Sequence, residues 1–186
     1  MSFTVHNKDT APAASKSVLD DTAKVYGFVP NLYGVFAESP LAVSAYLQLS
    51  GLIKDRASLT PQEQQIVMIA VSVANGCDYC VAAHSVVGAM ARVPADTIQA
   101  LREGRAPADS KTAALAAFVR SVVSHRGWVP AADLQAFLDA GYTRSHVLDV
   151  LTINALKTLS NYTNHLAGTP LDHAFAPQRW VKPAAA

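Results

Sequence analysis

Apolar residues recur three and four positions apart along most of this chain, which is the spacing of helices that bury one face. No stretch alternates apolar and polar residues as a half-buried strand does. The loops between the periodic segments are short, which favours antiparallel neighbours packed as a bundle. We therefore predict an all-α fold, an antiparallel helical bundle, with helices over about residues 16–26, 40–54, 61–74, 78–91, 94–103, 110–126, 130–140 and 143–167.

Helix start and stop residues sharpen several of these boundaries. Glu63 follows three residues after Thr60, which is the sequence signature of a capping box. Asn75 and Gly76 then end that helix. The last long helix, 143–167, is predicted from an apolar stripe formed by Val147, Leu148, Leu151, Ala155, Leu159, Tyr162 and Leu166.

The composition fits one domain with part of its surface covered. At 186 residues the chain is long enough to bury a core, and we expect a single domain over 1–186 with an irregular, proline-rich tail over 169–186. Apolar residues make up 51% of the chain and charged residues 16%, which is apolar for a soluble monomer. We therefore expect a homo-oligomer.

The charge pattern and the N-terminal sequence argue against several classes of partner. The formal net charge is +1 and the basic residues are scattered, so nothing favours nucleic acid or an anionic membrane surface. The N-terminal residues lack the apolar segment of a signal peptide. The longest apolar run, at 66–74, is far shorter than the roughly 20 residues that cross a bilayer. We expect a cytoplasmic protein that binds neither nucleic acid nor membrane.

Both cysteines of the chain lie in the segment NGCDYCVAAHS at 75–85, at the start of a predicted helix. Cys77, Cys80 and His84 are three and four residues apart, so they share one helix face. A helix N-terminus favours thiolate over thiol, and a histidine one turn away can take the thiol proton. His84 is one turn from Cys80 but two turns from Cys77. We therefore predict that Cys80 attacks an oxidant and that Cys77 closes the disulfide.

Two other interpretations of the cysteine pair stay open. A zinc site needs four ligands, and the other histidines of the chain show no paired metal-ligand spacing. Buried cysteines can also be inert parts of a core. Haem attachment is excluded because Val81, and not histidine, follows the second cysteine. The leading interpretation is redox chemistry with no cofactor and no metal.

The segment LTPQEQQIVMIAVSVANGCDYCVAAHS resembles the core of the alkylhydroperoxidase D-like branch of the carboxymuconolactone decarboxylase family. The segments FVPNLYGVFAESP, GYTRSHVLDVL and LKTLSNYTNHLAGTP resemble the flanks of longer, peroxidase-related members, so the resemblance covers roughly residues 15–175. It places the redox core at about 59–92. It implies an all-helical fold of the alkylhydroperoxidase D-like type, assembled into dimers, trimers or hexamers.

The resemblance also implies a reaction. The paired cysteines would reduce small hydroperoxides, with Cys80 peroxidatic, Cys77 resolving and His84 relaying a proton. A dihydrolipoyl protein or a similar dithiol would re-reduce the disulfide. The name-giving decarboxylases of the family lack the cysteine pair, which argues against lactone decarboxylation here.

One departure from the family concerns the proton relay. Members usually carry a glutamate twelve residues before the first cysteine, and this chain has Gln65 there. A glutamine can hydrogen bond to a histidine but cannot carry a proton away as a carboxylate does. The nearest carboxylate, Glu63, already has a place in the predicted capping box, and Tyr79 stands where some members have histidine. Glu63, Gln65 and Tyr79 are therefore secondary candidates for catalysis.

The leading hypothesis is an antioxidant enzyme, a thiol-dependent hydroperoxide reductase. The first alternative is a thiol–disulfide oxidoreductase or redox sensor without peroxidase activity. The second is a helical assembly protein whose thiols bind metal or have no chemical role. Chemistry like that of the carboxymuconolactone decarboxylases rests on the family name alone.

Overall fold

Helices make up the regular structure of this protein. The computed structural model describes residues 3–182, and over this range no strand is present, so the predicted all-α fold is confirmed. No helix in the same range is both long and apolar enough to cross a bilayer. In chain order the helices are α1 (Ala13–Tyr26), α2 (Asn31–Phe36), α3 (Pro40–Arg56), α4 (Pro61–Ala74), α5 (Asp78–Met90), α6 (Ala95–Arg102), α7 (Ser110–Ser124), α8 (Ala131–Asp139), α9 (Arg144–Ala167) and a 3-10 helix (His173–Gln178).

Helices α4 and α9, which both contribute residues to the candidate site, have side-chain caps at their N-termini. The Thr60 hydroxyl accepts a hydrogen bond from the Glu63 amide, and the Glu63 carboxylate accepts one from the Thr60 amide. The capping box predicted for α4 is therefore present. Thr143 and His146 form a second box of this kind at the start of α9. These reciprocal bonds satisfy amide groups that a helix N-terminus leaves without partners.

Two short elements differ from the sequence prediction. Helix α2 is not among the predicted helices, because six residues are too few to show a helical period; all of its residues except Asn31 are buried. The segment 169–182 was expected to be irregular, but it contains the 3-10 helix, which buries Phe175 against the core. A single short turn leaves no period in the sequence, and burial of one aromatic ring holds it in place. Residues 183–186 of the predicted tail lie outside the described part of the chain.

Helix α4 lies at the centre of the fold. Its residues 66–72 are buried on every face, and the helix packs against α5, α7 and α9. One connected cluster of buried side chains extends from Ala11 to Phe175. From this continuous core we propose a single domain.

Helix α9 turns its apolar stripe outward. Apart from Val147, the residues from which the helix was predicted are exposed: Leu148, Leu151, Ala155, Leu159, Tyr162 and Leu166. The buried face mixes apolar and polar side chains: Val150, Ile153, Leu156, Lys157, Ser160, Asn161 and Asn164. The sequence therefore predicted the helix correctly but not its inward face, because polar groups that contact one another replace part of the apolar core.

The cap of α4 can be tested by mutation. We expect Thr60→Ala to lower the free energy of unfolding by about 1 kcal/mol, because an amide at the helix start loses its acceptor. Thr152→Ala is the matched control, since this exposed hydroxyl bonds only to the Leu148 carbonyl of its own helix; it should change stability by less than about 0.5 kcal/mol. Urea unfolding followed by circular dichroism measures both changes. Equal losses in the two variants would contradict the capping role.

Candidate active site

A sharp turn between α4 and α5 positions the two cysteines. Gly76 in this turn has a φ of +70°, a left-handed conformation that favours glycine. The side-chain amide of Asn75 donates a hydrogen bond to Asn161 on α9 over 2.9 Å, which ties the turn to that helix. Cys77 is then the N-cap residue of α5, and Cys80 lies in its first turn. The predicted placement of the cysteines at a helix start is thus present in the structure.

Both sulfur atoms are buried between α5 and α9. The exposed fraction is 0% for Cys77 and 1% for Cys80, and both are free thiols. The Asn164 amide donates to Cys80 Sγ over 3.2 Å and lies 3.7 Å from Cys77 Sγ. Cys80 Sγ also lies 3.8 Å from the hydroxyl oxygen of Ser160. Polar groups of α9 therefore contact the sulfur pair directly.

A buried lysine completes the site. Lys157 on α9 has an exposed fraction of 0%, and its Nζ lies 2.8 Å from Nε2 of His84. It lines the same pocket as Cys80, and its positive charge acts on the sulfur of that residue. No carboxylate within residues 3–182 forms a salt bridge with it. The Cys80 thiolate is therefore an anion that compensates the charge of this ammonium.

The hydrogen bonds of His84 fix its tautomer. An ammonium has only donors, so Nε2 of His84 accepts the bond from Lys157. The proton of the ring is then on Nδ1, which donates to Oε1 of Gln65 over 3.0 Å. Burial, and next the positive charge of Lys157, hold the pKa of His84 well below its usual range, so the ring is neutral.

The contacts of His84 differ from the direct contact with Cys80 that the spacing suggested. The helical spacing suggested that the imidazole contacts the Cys80 thiol one turn away. Instead, the described hydrogen bonds of the ring go to Lys157 and Gln65, and it is the charge of Lys157 that acts on Cys80. The spacing along α5 was correct, but a side chain from another helix occupies the position next to the sulfur.

The two thiols have opposite pKa shifts. Burial alone raises the pKa of the Cys80 thiol. Hydrogen bonding with Cys77, the positive charge of Lys157 and the contact with the Ser160 hydroxyl act against burial, and together they lower this pKa to about 5. The pKa of Cys77 is raised, first by its hydrogen bond to Cys80 and then by burial. At neutral pH Cys80 is thus a thiolate and Cys77 a thiol.

The charge of Lys157 follows from that of its neighbour. Burial alone lowers the pKa of its ammonium, but the negative charge on Cys80 more than offsets this effect and raises the pKa. The pair therefore carries one positive and one negative charge at buried positions. Charges at such a position attract strongly, and each depends on the other to remain ionised.

The secondary candidates occupy different places. Gln65 lies in the site and holds the His84 ring. Glu63 forms the capping box with Thr60 and lies 3.7 Å from Lys111, and it does not line the pocket at Cys80. Its role in the structure is therefore the cap.

Tyr79 forms a wall of the site. Its hydroxyl donates to Asp172 over 2.5 Å and accepts a bond from the amide of Leu32. Burial, and next this bond to Asp172, raise the pKa of Tyr79, so the phenol stays neutral. Because its proton is directed at Asp172, Tyr79 links the C-terminal segment to α2 and α5 and has no free proton for a substrate.

A pocket of about 540 Å³, including its open mouth, leads from the surface to Cys80, His84 and Lys157. Its other walls are mostly aromatic and apolar, and include Tyr26, Leu32, Tyr33, Tyr46, Met68, Tyr79 and Phe175. Cys77 does not line this pocket. A small molecule that enters it meets the sulfur of Cys80 first.

The sequence analysis did not identify the polar residues of α9 that lie in the site, although their spacing gives a signal. Lys157, Ser160, Asn161 and Asn164 have the spacing i, i+3, i+4 and i+7, which puts them on one helix face. The row continues the buried apolar positions Val150, Ile153 and Leu156. Polar residues in line with a buried apolar row indicate a buried polar site, but the leucines of the opposite face form the more regular pattern.

A zinc site is not supported by the arrangement of ligands. Among residues 3–182, no three side chains of the types His, Cys, Asp or Glu lie close enough together to hold a metal ion. The nitrogen of His84 that could bind a metal accepts a hydrogen bond from Lys157 instead.

Comparison with known proteins identifies the central segment. Residues 40–120 match the carboxymuconolactone decarboxylase family. This match spans α3 to α7 and includes Gln65, both cysteines and His84, whereas Lys157 lies outside it. No curated protein matches the chain.

Solved structures share the fold over nearly the whole chain. An alkylhydroperoxidase AhpD core protein, peroxidase-related, from Ralstonia eutropha JMP134 has 26% identity and a TM-score of 0.81, with 93% of each chain covered. A peroxidase-related protein from Silicibacter sp. TM1040 has 16% identity and a TM-score of 0.79, with 92% of this chain and 93% of that chain covered. A cysteine-to-alanine variant of the debrominase Bmp8, in complex with 2,3,4-tribromopyrrole, has 17% identity and a TM-score of 0.79, with 94% of each covered. The predicted alkylhydroperoxidase D-like fold is confirmed.

The difference between the two thiols can be measured by alkylation. We expect iodoacetamide to label Cys80 with a midpoint well below pH 8.5, the ordinary value for cysteine, because the thiolate is the reacting form. Cys77 should stay unlabelled at neutral pH, since its pKa is raised and it does not line the pocket. Mass spectrometry of peptides after labelling across a pH series gives both profiles. Cys80→Ser is the control that identifies the Cys80 signal, and fast labelling of Cys77 in the wild type at neutral pH would contradict the assignment.

Proposed function

We propose that this chain, whose residues 40–120 form a carboxymuconolactone decarboxylase family domain, is a thiol-dependent hydroperoxide reductase with an antioxidant role. The observation that carries the proposal is the Cys80 thiolate, held beside the Lys157 ammonium at the end of a small-molecule pocket. Cys77 lies one helical turn away and can complete a disulfide. A solved structure of similar fold, 26% identical, is that of an alkylhydroperoxidase AhpD core protein.

The proposed reaction uses the two sulfurs in sequence. The Cys80 thiolate attacks the terminal oxygen of a hydroperoxide ROOH, so an S–O bond forms and the O–O bond breaks. The departing RO⁻ takes up a proton and leaves as ROH, and Cys80 becomes a sulfenic acid. The Cys77 sulfur then attacks Cys80, an S–S bond forms, and the hydroxyl leaves with the Cys77 proton as water. The peroxide has gained two electrons and the thiols have lost two.

We assign His84 and Gln65 to the handling of protons and charge around the thiolate. His84 accepts a hydrogen bond from Lys157, and Gln65 fixes the orientation of its ring. A glutamine in this place cannot take up a proton, so the route does not continue through residue 65 as it would through a carboxylate. In this proposal His84 acts on Cys80 through Lys157.

The reductant is proposed to be a slender dithiol, such as a dihydrolipoyl group. Both sulfurs are buried, so a protein surface cannot reach them without rearrangement. A dithiol on a flexible arm can enter the pocket that leads to Cys80. Two of its electrons return the disulfide to the dithiol state. We place the reaction in the cytoplasm, where such reductants keep thiols reduced.

Burial of the sulfurs also separates this function from its first alternative. A general thiol–disulfide oxidoreductase must bring a protein disulfide against its own attacking sulfur, and exposed thiols serve that purpose. Here the exposed fractions are 0% and 1%. The geometry favours small oxidants over protein disulfides.

Reductive dehalogenation of a small aromatic ring is a second candidate. The debrominase Bmp8 shares the fold, and the observation that favours this reaction here is the tyrosine-rich wall of the pocket. Cys80 would attack the halogen, the carbon–halogen bond would break, and the ring carbon would take up a proton. Cys77 would then form the disulfide and release halide. Bromide release from a bromopyrrole, set against peroxide consumption, separates the two reactions.

We further propose that the chain forms a homo-oligomer through the outer face of α9. This face exposes Leu148, Leu159 and Leu166, with exposed fractions of 63%, 38% and 77%. A helix stripe of this length in water favours association, because covering it removes apolar surface from solvent.

The peroxide reaction can be followed by mass. We expect one equivalent of an organic hydroperoxide to remove two hydrogen atoms from the reduced protein and to join Cys77 with Cys80. Cys77→Ser should stop at the Cys80 sulfenic acid, which dimedone traps, and Cys80→Ser should consume no peroxide. Intact-mass and peptide mass spectrometry read these states. Peroxide turnover by Cys80→Ser at the wild-type rate would refute the proposal.

The proposed interface predicts a change in assembly. We expect the double variant with Leu159→Glu and Leu166→Glu to have the mass of a single chain in light scattering after size exclusion, because buried carboxylates oppose association. Val25→Glu, at an exposed position of α1, should leave the assembly intact. A wild-type protein that already has the mass of one chain would contradict the proposed oligomer.

A further inference from the structure

Lys157 carries a buried positive charge, and its neighbours show which group can compensate that charge. Removing an ammonium from water is strongly unfavourable unless an anion or other acceptors compensate its charge. The groups that face Lys157 are Cys77, Cys80 and His84 on α5 and Tyr46 on α3. His84 is neutral, and burial, the first influence on Tyr46, raises the pKa of that phenol. The remaining partner that can carry a negative charge at neutral pH is the Cys80 sulfur.

The Asn164 amide donates to Cys80 Sγ but is not an acid, and the ring and hydroxyl protons near the sulfur are directed elsewhere. The ring proton of His84 lies on Nδ1 and is donated to Gln65. The Tyr79 hydroxyl donates to Asp172. The hydroxyl of Ser160 lies 3.2 Å from the Lys157 carbonyl and 3.8 Å from Cys80 Sγ. The ammonium of Lys157, in contrast, faces the pocket next to the sulfur.

We propose that Lys157 is a catalytic residue, whose ammonium ionises Cys80 and then donates the proton that the leaving group needs. The second part of this role rests on the proposed peroxide reduction, and the first part holds for any electrophile that enters the pocket. His84 is then a positioning residue, which accepts a hydrogen bond from the ammonium and keeps it directed at the sulfur. Lys157 lies outside the segment that matches the family, so this assignment comes from the structure alone.

The protons balance over one cycle. In the first step the Cys80 thiolate, ROOH and the Lys157 ammonium give the Cys80 sulfenic acid, ROH and a neutral Lys157 amine. In the second step the Cys77 thiol and the sulfenic acid give the disulfide and water. A dithiol reductant then returns both cysteines to thiols. The Cys80 thiol finally transfers its proton to the Lys157 amine, which restores the ion pair.

The ionising role is tested with Lys157→Met, which keeps the length of the side chain and removes its charge. We expect the iodoacetamide midpoint of Cys80 to rise towards that of an ordinary cysteine, about 8.5. At pH 6 alkylation should then slow by at least about tenfold, since each unit of pKa changes the thiolate fraction about tenfold. Lys182→Met is the matched control, because Lys182 lies near the cysteine turn at Gly76 but outside the pocket. Its profile should equal that of the wild type.

The proton-donating role is tested by chemical rescue. We expect Lys157→Ala to react with an organic hydroperoxide at least about tenfold more slowly than the wild type, as is typical for loss of a general acid. Added ethylamine should restore part of the rate, with a pH profile that follows the amine. Tetramethylammonium, which carries charge but no proton, should not. Equal rescue by both ions would overturn proton donation.

The alkylation and peroxide experiments can refute the role of Lys157 and the proposed peroxide reduction independently of each other. Alkylation does not involve peroxide, so a Lys157-dependent midpoint supports the ionising role even if the wild type consumes no peroxide. Conversely, a wild type that consumes peroxide, with a Lys157→Met variant that alkylates like the wild type, overturns the inference alone. Should the variants fail to fold by circular dichroism, the wild-type profile decides, since a midpoint near about 8.5 excludes a thiolate paired with Lys157.

Discussion

The site depends on one interaction, the contact between a buried ammonium and a buried thiolate. Neither Lys157 nor Cys80 has the access to water that would stabilise a lone charge. Each charge is therefore retained because the other is present, and the hydrogen bond to His84 supports the ammonium from a second side. Two helices supply this pair, α5 with the thiolate and α9 with the ammonium. The way in which α5 and α9 pack therefore determines how the two charges are placed relative to each other.

Cross-helix hydrogen bonds fix that packing. Gln65 on α4 holds the ring of His84 on α5, and Asn75 at the end of α4 bonds to Asn161 on α9. Asn164 on α9 then reaches both sulfurs. Because α4 is buried on all sides over 66–72, it gives these bonds a rigid base. The site is accordingly built at the junction of three helices rather than on a loop.

The sequence predicted features that depend on neighbouring residues, but it did not predict contacts between residues that are far apart along the chain. The capping box of Thr60 and Glu63, and the cysteines at the start of α5, depend on residues a few positions apart, and the structure contains both. Lys157 is 77 positions beyond Cys80, so no spacing along the chain relates them. The exposed leucines of α9 also resemble a core stripe, since periodicity shows that one face is apolar but not what covers it.

The absence of a carboxylate beside Lys157 within residues 3–182 connects redox state to protonation. When the two sulfurs join in a disulfide, the anion that stabilised the ammonium is gone. A buried amine without a neighbouring anion loses its proton, because burial then lowers its pKa and no negative charge raises it. Electron transfer at the cysteines thus moves a proton at the lysine, and the buried site carries no net charge from this pair in either redox state. The protein changes its chemistry without having to solvate its core.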